Sequence, residues 1–267
     1  RRVLFRSSPY LQTDWDADHL TEVISESLRA FPAVGAPATW VLSNHDVVRH
    51  ASRLALTAEN PQGHGLGPDS PGQPDAVVGL ARARAATTLM LALPGSAYLY
   101  QGEELGLPEV VHLPDDARQD PTWFRTDGER YGRDGCRVPI PWEADAPGYG
   151  FSPTGASWLP QPEEWHALAR SVQDGDPAST LTLYRELLAA RRRHDLGAGT
   201  LEWVDLQLGD DVVAFRNGDV LVVANTGTSA VTLPAGEILV SSVAGLTGTT
   251  SGSSELPVDA AVWIRTS

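Results

Sequence analysis

Up to about residue 198 the chain alternates short apolar runs with stretches of helical periodicity; beyond it the period shortens to that of strands. Leu20, Val23, Ile24, Leu28 and Phe31 recur at helical steps, and Asp16 stands where a cap belongs, which predicts a helix from Asp16 to about Phe31. The run Ala38-Thr39-Trp40-Val41-Leu42-Ser43 reads as a strand ending in Asn44-His45-Asp46. Between Ala55 and Asp75 the glycines 63, 65, 67 and 72 and the prolines 68, 71 and 74 predict a loop. A second helix is expected over Val77–Leu93, then a short strand within Pro94–Leu107 with a polar tip. Tyr184, Leu187, Leu188 and Arg191 predict a third helix over Leu181–His194, whose basic last turn, Arg191-Arg192-Arg193-His194, complements the helix dipole and is not a nucleic-acid footprint. From Thr200 onward, Asp211–Asn225 divides into two β-rich runs joined by Asn217-Gly218, a hairpin signal, and strand-like segments continue through Ala260–Ile264. Alternation turns Trp203, Phe215 and Trp263 inward in this part.

Asn44-His45-Asp46 has two readings. Asn and Asp at a strand end can form a turn and satisfy nearby backbone donors. The same residues can be a polar triad delivered to a strand tip, where a carboxylate beside an imidazole suits a cationic, oxocarbenium-like transition state. Two further polar segments follow: Gln101-Gly102-Glu103-Glu104, and Gly132-Arg133-Asp134-Gly135-Cys136-Arg137-Val138-Pro139-Ile140-Pro141-Trp142. Neighbours on a strand end point in opposite directions, so Glu103 and Glu104 read as bracing a loop and not as an acid/base pair.

In order and spacing these three motifs, from about Tyr10 to the C-terminus, resemble the C-terminal half of an α-glucosidase of glycoside hydrolase family 13, the α-amylase family. The resemblance implies an α/β plus all-β chain: the C-terminal part of a (β/α)8 TIM barrel followed by a small antiparallel β-sandwich. Residues 8–198 would hold barrel strands 7 and 8 with long loops, and residues 199–267 the sandwich. It implies that Asp46 is the catalytic transition-state stabiliser, that His45 and Arg137 bind the sugar, that Asn44 braces their loop, and that Arg49 is a nearby charge partner, with a plain surface arginine as its alternative. The nucleophile and acid/base of a retaining glycosidase, two carboxyls about 5 Å apart, would follow barrel strands 4 and 5. Tyr10–Ala17 resembles the segment leaving strand 6, and no Gly-x-Arg-x-Asp precedes Asn44, so the chain is expected to be a C-terminal fragment, inactive alone. Residues 1–7, Arg-Arg-Val-Leu-Phe-Arg-Ser, equal the in-frame translation of a common sequencing-library adapter, AGA CGT GTG CTC TTC CGA TCT, and are expected to be an artefact.

The implied reaction is retaining hydrolysis of terminal α-linked glucose from malto- or isomalto-oligosaccharides. Val47-Val48 stands where α-1,6-specific relatives often carry Gln-Pro, which favours α-1,4 bonds. An oligo-1,6-glucosidase or a trehalose- or trehalulose-forming transferase is the alternative within the family. A catalytically silent, transporter-associated relative is the alternative of another class, opposed by the presence of His45, Asp46 and Arg137 together.

Composition narrows the partners. A formal charge of -14 over 267 residues opposes nucleic acid and anionic membrane as partners, whereas a neutral sugar needs no basic footprint. No apolar run reaches the roughly 18 residues of a membrane span. A cytoplasmic location is the family expectation. The single cysteine, Cys136, permits no internal disulfide and reads as structural. No cofactor and no metal are expected, since paired ligands at zinc spacing are absent from the sequence. Trp123, Phe124, Tyr131, Trp142, Tyr149, Phe151, Trp158 and Trp165 crowd one Pro/Gly-rich stretch, where they can stack on sugars or pack the loop.

Overall fold

The computed structural model describes residues 9–60 and 65–266, so the adapter-like residues 1–7 lie outside the described residues. Seven α-helices are described, α1 (Pro9–Gln12), α2 (Ala17–Ala30), α3 (His50–Arg53), α4 (Ala76–Leu91), α5 (Pro121–Arg125), α6 (Arg170–Gln173) and α7 (Thr180–Arg193). The described strands are β1 (Thr39–Val41), β2 (Ser96–Tyr98), β3 (Leu201–Trp203), β4 (Val212–Asn217), β5 (Val220–Asn225), β6 (Val231–Thr232), β7 (Gly236–Ser241), β8 (Gly248–Thr250), β9 (Glu255–Leu256) and β10 (Ala260–Arg265). The described residues form two compact units, one drawn from residues 9–42, 81–98 and 183–266, the other from residues 43–60, 65–80 and 99–182. Among the described residues no helix is long and apolar enough to cross a membrane.

In the first unit β1 and β2 pair in parallel, Thr39 opposite Ser96 and Val41 opposite Tyr98. Parallel neighbours need a crossover connection, and the intervening chain contains α4. Asp16 caps α2 as its sequence position predicts, accepting from the His19 N–H at 3.0 Å. The buried stripe of α2 is Ala17, Leu20, Ile24 and Ser27. Trp40 of β1 is wholly buried, meets Tyr10 edge to face and donates its indole N–H to the Pro94 carbonyl at 2.7 Å. At the end of α7, Arg191 donates to the carbonyls of Leu91, Leu93 and Gly95 at 2.6, 2.7 and 2.6 Å, so this cation serves the fold.

The C-terminal strands build one antiparallel six-stranded sheet in the order β3-β4-β5-β10-β7-β8, with β6 and β9 as a separate two-stranded ribbon. All six residues of β5 and five of six in β10 are buried. A continuous apolar run is what a strand covered on both faces requires. Leu221, Val223, Val262 and Ile264 share a cluster with Leu233 and Leu256 from the ribbon side. Trp263, of opposite parity, donates its indole N–H to the Thr88 carbonyl of α4 at 2.8 Å.

Two expectations are corrected here. The hairpin loop is Gly218-Asp219, because Asn217 pairs with Val220 as the last residue of β4. Gly218 takes the positive φ of 61° that the first loop position demands. Asn217 is instead a buried bridge: its amide donates to the carbonyls of Ala92 at 2.8 Å and Leu196 at 2.9 Å. Phe215 and Trp263 turn inward, but Trp203 is 40 % exposed on the outermost strand, resting edge-on against Phe215 with its indole N–H given to Ser25 Oγ. An edge strand lacks a neighbour on one side, which alternation alone does not register.

Replacing Asn217 by Ala would leave two buried carbonyls without this donor. The expected loss is about 2 kcal/mol in urea unfolding of the folded protein, with the unfolding slope unchanged.

Candidate active site

The second unit is tied together by a buried cation. Arg49, 2 % exposed, donates from Nη1 to the Gln101 carbonyl at 2.6 Å and from Nη2 to the Val138 carbonyl at 3.2 Å. Its guanidinium lies over Tyr100 and Trp165, 5.5 and 5.7 Å from the ring centroids. The Arg49 N–H donates to Glu109 Oε2 at 2.8 Å, while the Glu109 N–H is held by Ser52 Oγ at 2.9 Å. Burial removes the surface alternative for Arg49, whose guanidinium is met by carbonyls and rings, with only its backbone N–H reaching a carboxylate. Gly102, at φ 87°, lets the chain pass: a Cβ there would sit 2.6 Å from Arg49 Nη1. Glu103 and Glu104 lie on a 3-10 turn, Glu103–Leu105, and not on a strand end; Glu104 accepts from the Gly102 N–H at 2.8 Å, a loop brace.

Just before this anchor, Asn44 Oδ1 accepts from the Asp46 N–H at 2.8 Å. That is the local turn of the first reading, and it frees the Asp46 side chain to project outward. The Asp46 carboxylate remains 47 % exposed. Its Oδ1 accepts from Arg133 Nη1 at 2.5 Å and stands 3.6 Å from Arg137 Nη2, while Oδ2 is 3.4 Å from His45 Nε2. Arg137 also donates from Nε to the His45 carbonyl at 3.0 Å. Asp46, His45 and Arg137, singled out in the sequence, therefore meet at one surface.

Arg133 and Asp120 were not singled out, yet they belong to the same network. Arg133 gives Nε to Asp120 Oδ2 at 2.5 Å. Burial works against ionisation of Asp120, but the hydrogen bonds from Arg133 and Thr122 outweigh it and take its carboxyl down to about 2. The sequence signal is position alone: Arg133 precedes Asp134 in the segment Gly132–Trp142, while Asp120 looks like an ordinary cap before Pro121, which it also is.

Nearby groups have plainer duties. The Cys136 thiol is buried, donates to the Arg133 carbonyl at 3.1 Å and is pushed up to about 12 by desolvation, which makes it inert. Trp123 and Tyr131 stack on each other at 5.7 Å between centroids, and the Arg118 guanidinium lies 4.9 Å from each ring, so these two aromatics are engaged by a cation of the chain. Trp165 is buried, whereas Phe124, Trp142, Phe151 and Trp158 stay exposed.

The sequence profile described as the alpha amylase catalytic domain matches residues 6–198. The chain belongs to the alpha-amylase family. It is 37 % identical over 192 residues to a probable alpha-glucosidase of Rhizobium meliloti, covering 70 % of this chain and 31 % of that protein. Among solved structures, the alpha-glucosyl transfer enzyme XgtA matches with a TM-score of 0.66 at 30 % identity, over 96 % of this chain and 45 % of that one. The trehalulose synthase MutB from Pseudomonas mesoacidophila matches at 0.67 with 23 % identity, over 94 % and 46 %, a likeness of fold alone. The chain spans about a third of the length of the curated relatives it matches.

The buried carboxyls of this alpha-amylase family chain set its pH response. Desolvation raises Glu109 to about 7 and Glu103 to about 8. A raised carboxyl gives stability that is complete below the unfolded value of 4.5 and is lost as pH climbs through 7 to 8. Asp120, lowered from 3.8 to about 2, acts oppositely: its contribution is present above 3.8 and lost as pH falls towards 2. Urea midpoints are therefore expected to be highest near pH 4 to 5 for these groups, and Glu109→Gln to flatten the decline between about pH 5 and pH 8.

Proposed function

We propose that residues 8–198 are the C-terminal part of a (β/α)8 barrel, that β1 and β2 are two of its strands, and that residues 199–267 are the appended β domain. The proposed activity of the whole protein is retaining hydrolysis of terminal α-1,4-linked glucose from oligosaccharides. The observation that carries it is the half-exposed Asp46 carboxylate faced by Arg133, Arg137 and His45.

Glycoside cleavage places positive charge on the ring oxygen and anomeric carbon, and a fixed carboxylate lowers the energy of that charge where water is excluded. Asp46 takes this part. Arg137 and His45 bind glucosyl hydroxyls beside it, the guanidinium as donor and the imidazole as donor or acceptor by tautomer. The nucleophile and acid/base are carboxylates outside residues 1–267, and these residues alone do not turn over substrate. A neutral glucosyl oligosaccharide matches the acidic composition, which would repel anionic ligands.

A second reading is glucosyl transfer, in which a sugar replaces water as acceptor. Similarity to an alpha-glucosyl transfer enzyme favours it as much as similarity to a probable alpha-glucosidase favours hydrolysis. Both readings give Asp46 the same task.

In the full-length protein, Asp46→Asn is expected to lower kcat on maltose by about 10²–10³-fold or more with the melting temperature little changed. Unaltered turnover would remove Asp46 from the mechanism. Maltose cleaved faster than isomaltose supports the α-1,4 assignment, the reverse order the α-1,6 one, and disaccharide isomers formed in place of glucose the transferase.

A further inference from the structure

Asp120 is not part of the sugar-cleaving motifs, yet both site arginines converge on it. It is wholly buried. Its Oδ2 accepts from Arg133 Nε at 2.5 Å and from the Arg133 N–H at 3.2 Å, and lies 3.6 Å from Arg137 Nη1. Oδ1 accepts from the Thr122 N–H at 2.8 Å. The residue is itself held from behind, because Asp134 Oδ2 accepts from the N–H groups of Gln119 at 2.8 Å and Asp120 at 2.9 Å. Gly132, at φ 71°, stands so close that a Cβ there would lie 2.8 Å from Asp120 Cβ.

Capping a five-residue helix does not require this arrangement, since a serine or asparagine at the surface caps as well. Burying a carboxylate is costly unless charged donors meet it. Here the donors are the arginines that reach Asp46. A guanidinium is a rigid fork, so gripping it at Nε fixes the direction of its Nη atoms. With Nε on Asp120, Arg133 places Nη1 2.5 Å from Asp46 Oδ1.

We propose that Asp120 is a positioning residue of the sugar site: through Arg133 it fixes the orientation of the Asp46 carboxylate. This rests on the glucosidase reading for its consequence in turnover, but the brace can be read without turnover.

The test uses the full-length protein. Asp120→Asn keeps an oxygen for the Thr122 cap but cannot accept from both Arg133 and Thr122, so one donor is released. Turnover of p-nitrophenyl α-glucoside, as kcat/KM, is expected to fall about 100-fold with the fold intact by circular dichroism. In a double-mutant cycle Asp120→Asn added to Arg133→Ala is expected to cost little beyond Arg133→Ala alone. Multiplying losses in that cycle would overturn the proposal, because they mean that Asp120 acts on the fold and not through Arg133. Independently, the Arg133 Nε–H resonance is expected to be protected from solvent exchange in the parent and to lose protection in Asp120→Asn. An unprotected resonance in the parent overturns the brace. A protected one that Asp120→Asn releases, in a parent that cleaves no glucoside, supports the brace and removes the glucosidase reading instead.

Discussion

The second unit depends on one buried cation. Arg49 carries its charge into a place with 2 % exposure, and the cost of desolvating a guanidinium is offset by what meets its two Nη atoms and its faces, while its Nε has no hydrogen-bond partner. Two carbonyls accept from it, two aromatic rings present their faces, and Glu109 holds its backbone N–H. Those partners come from residues 100–109, 138 and 165, so one residue gathers three separate segments. Loops without regular secondary structure need such a point, since they have no ladder of backbone hydrogen bonds to fix them.

The exposed end of the same unit uses charge differently. Around Asp46 the arginines are only partly covered, and their partners form a graded series from the surface inward: Asp46 half-exposed, Asp120 and Asp134 wholly buried. Of the inner carboxylates, both oxygens of Asp120 accept hydrogen bonds and Asp134 accepts two backbone N–H groups at Oδ2, whereas the outer carboxylate is half open to solvent. This gradient is what lets one cluster be rigid at its base and available at its tip. The buried Cys136 and the contacts of Arg118 with the stacked Trp123 and Tyr131 stiffen the loops that carry it.

In the other unit the stabilising element is hydrophobic. β5 and β10 are central strands buried on both faces, and polar groups enter only where they finish a hydrogen-bond requirement, as the Trp263 indole and the Asn217 amide do. A strand so placed tolerates no charged residue along its middle, and Val220–Ala224 has none.

Local patterns in the sequence determined much of this. The helix α2 with its Asp16 cap and its buried Leu20 and Ile24, the β1 run, the helix ending at Arg193 and the hairpin after Asp211 follow from periodicity and from the conformations open to Asp, Gly and Asn within a few residues. The Asn-His-Asp motif and its family likewise came from order along the chain. Only the tertiary structure decided that Arg133 grips Asp46 across 87 residues and Asp120 across 13, that Arg49 is interior, that Trp203 stays on an edge, and that Asn217 bridges carbonyls instead of turning a corner. An arginine reads the same in sequence whether it is solvated, buried or shared by two carboxylates. What distinguishes these states is desolvation and the partners that offset it, and those are set by segments that meet only when the chain is folded.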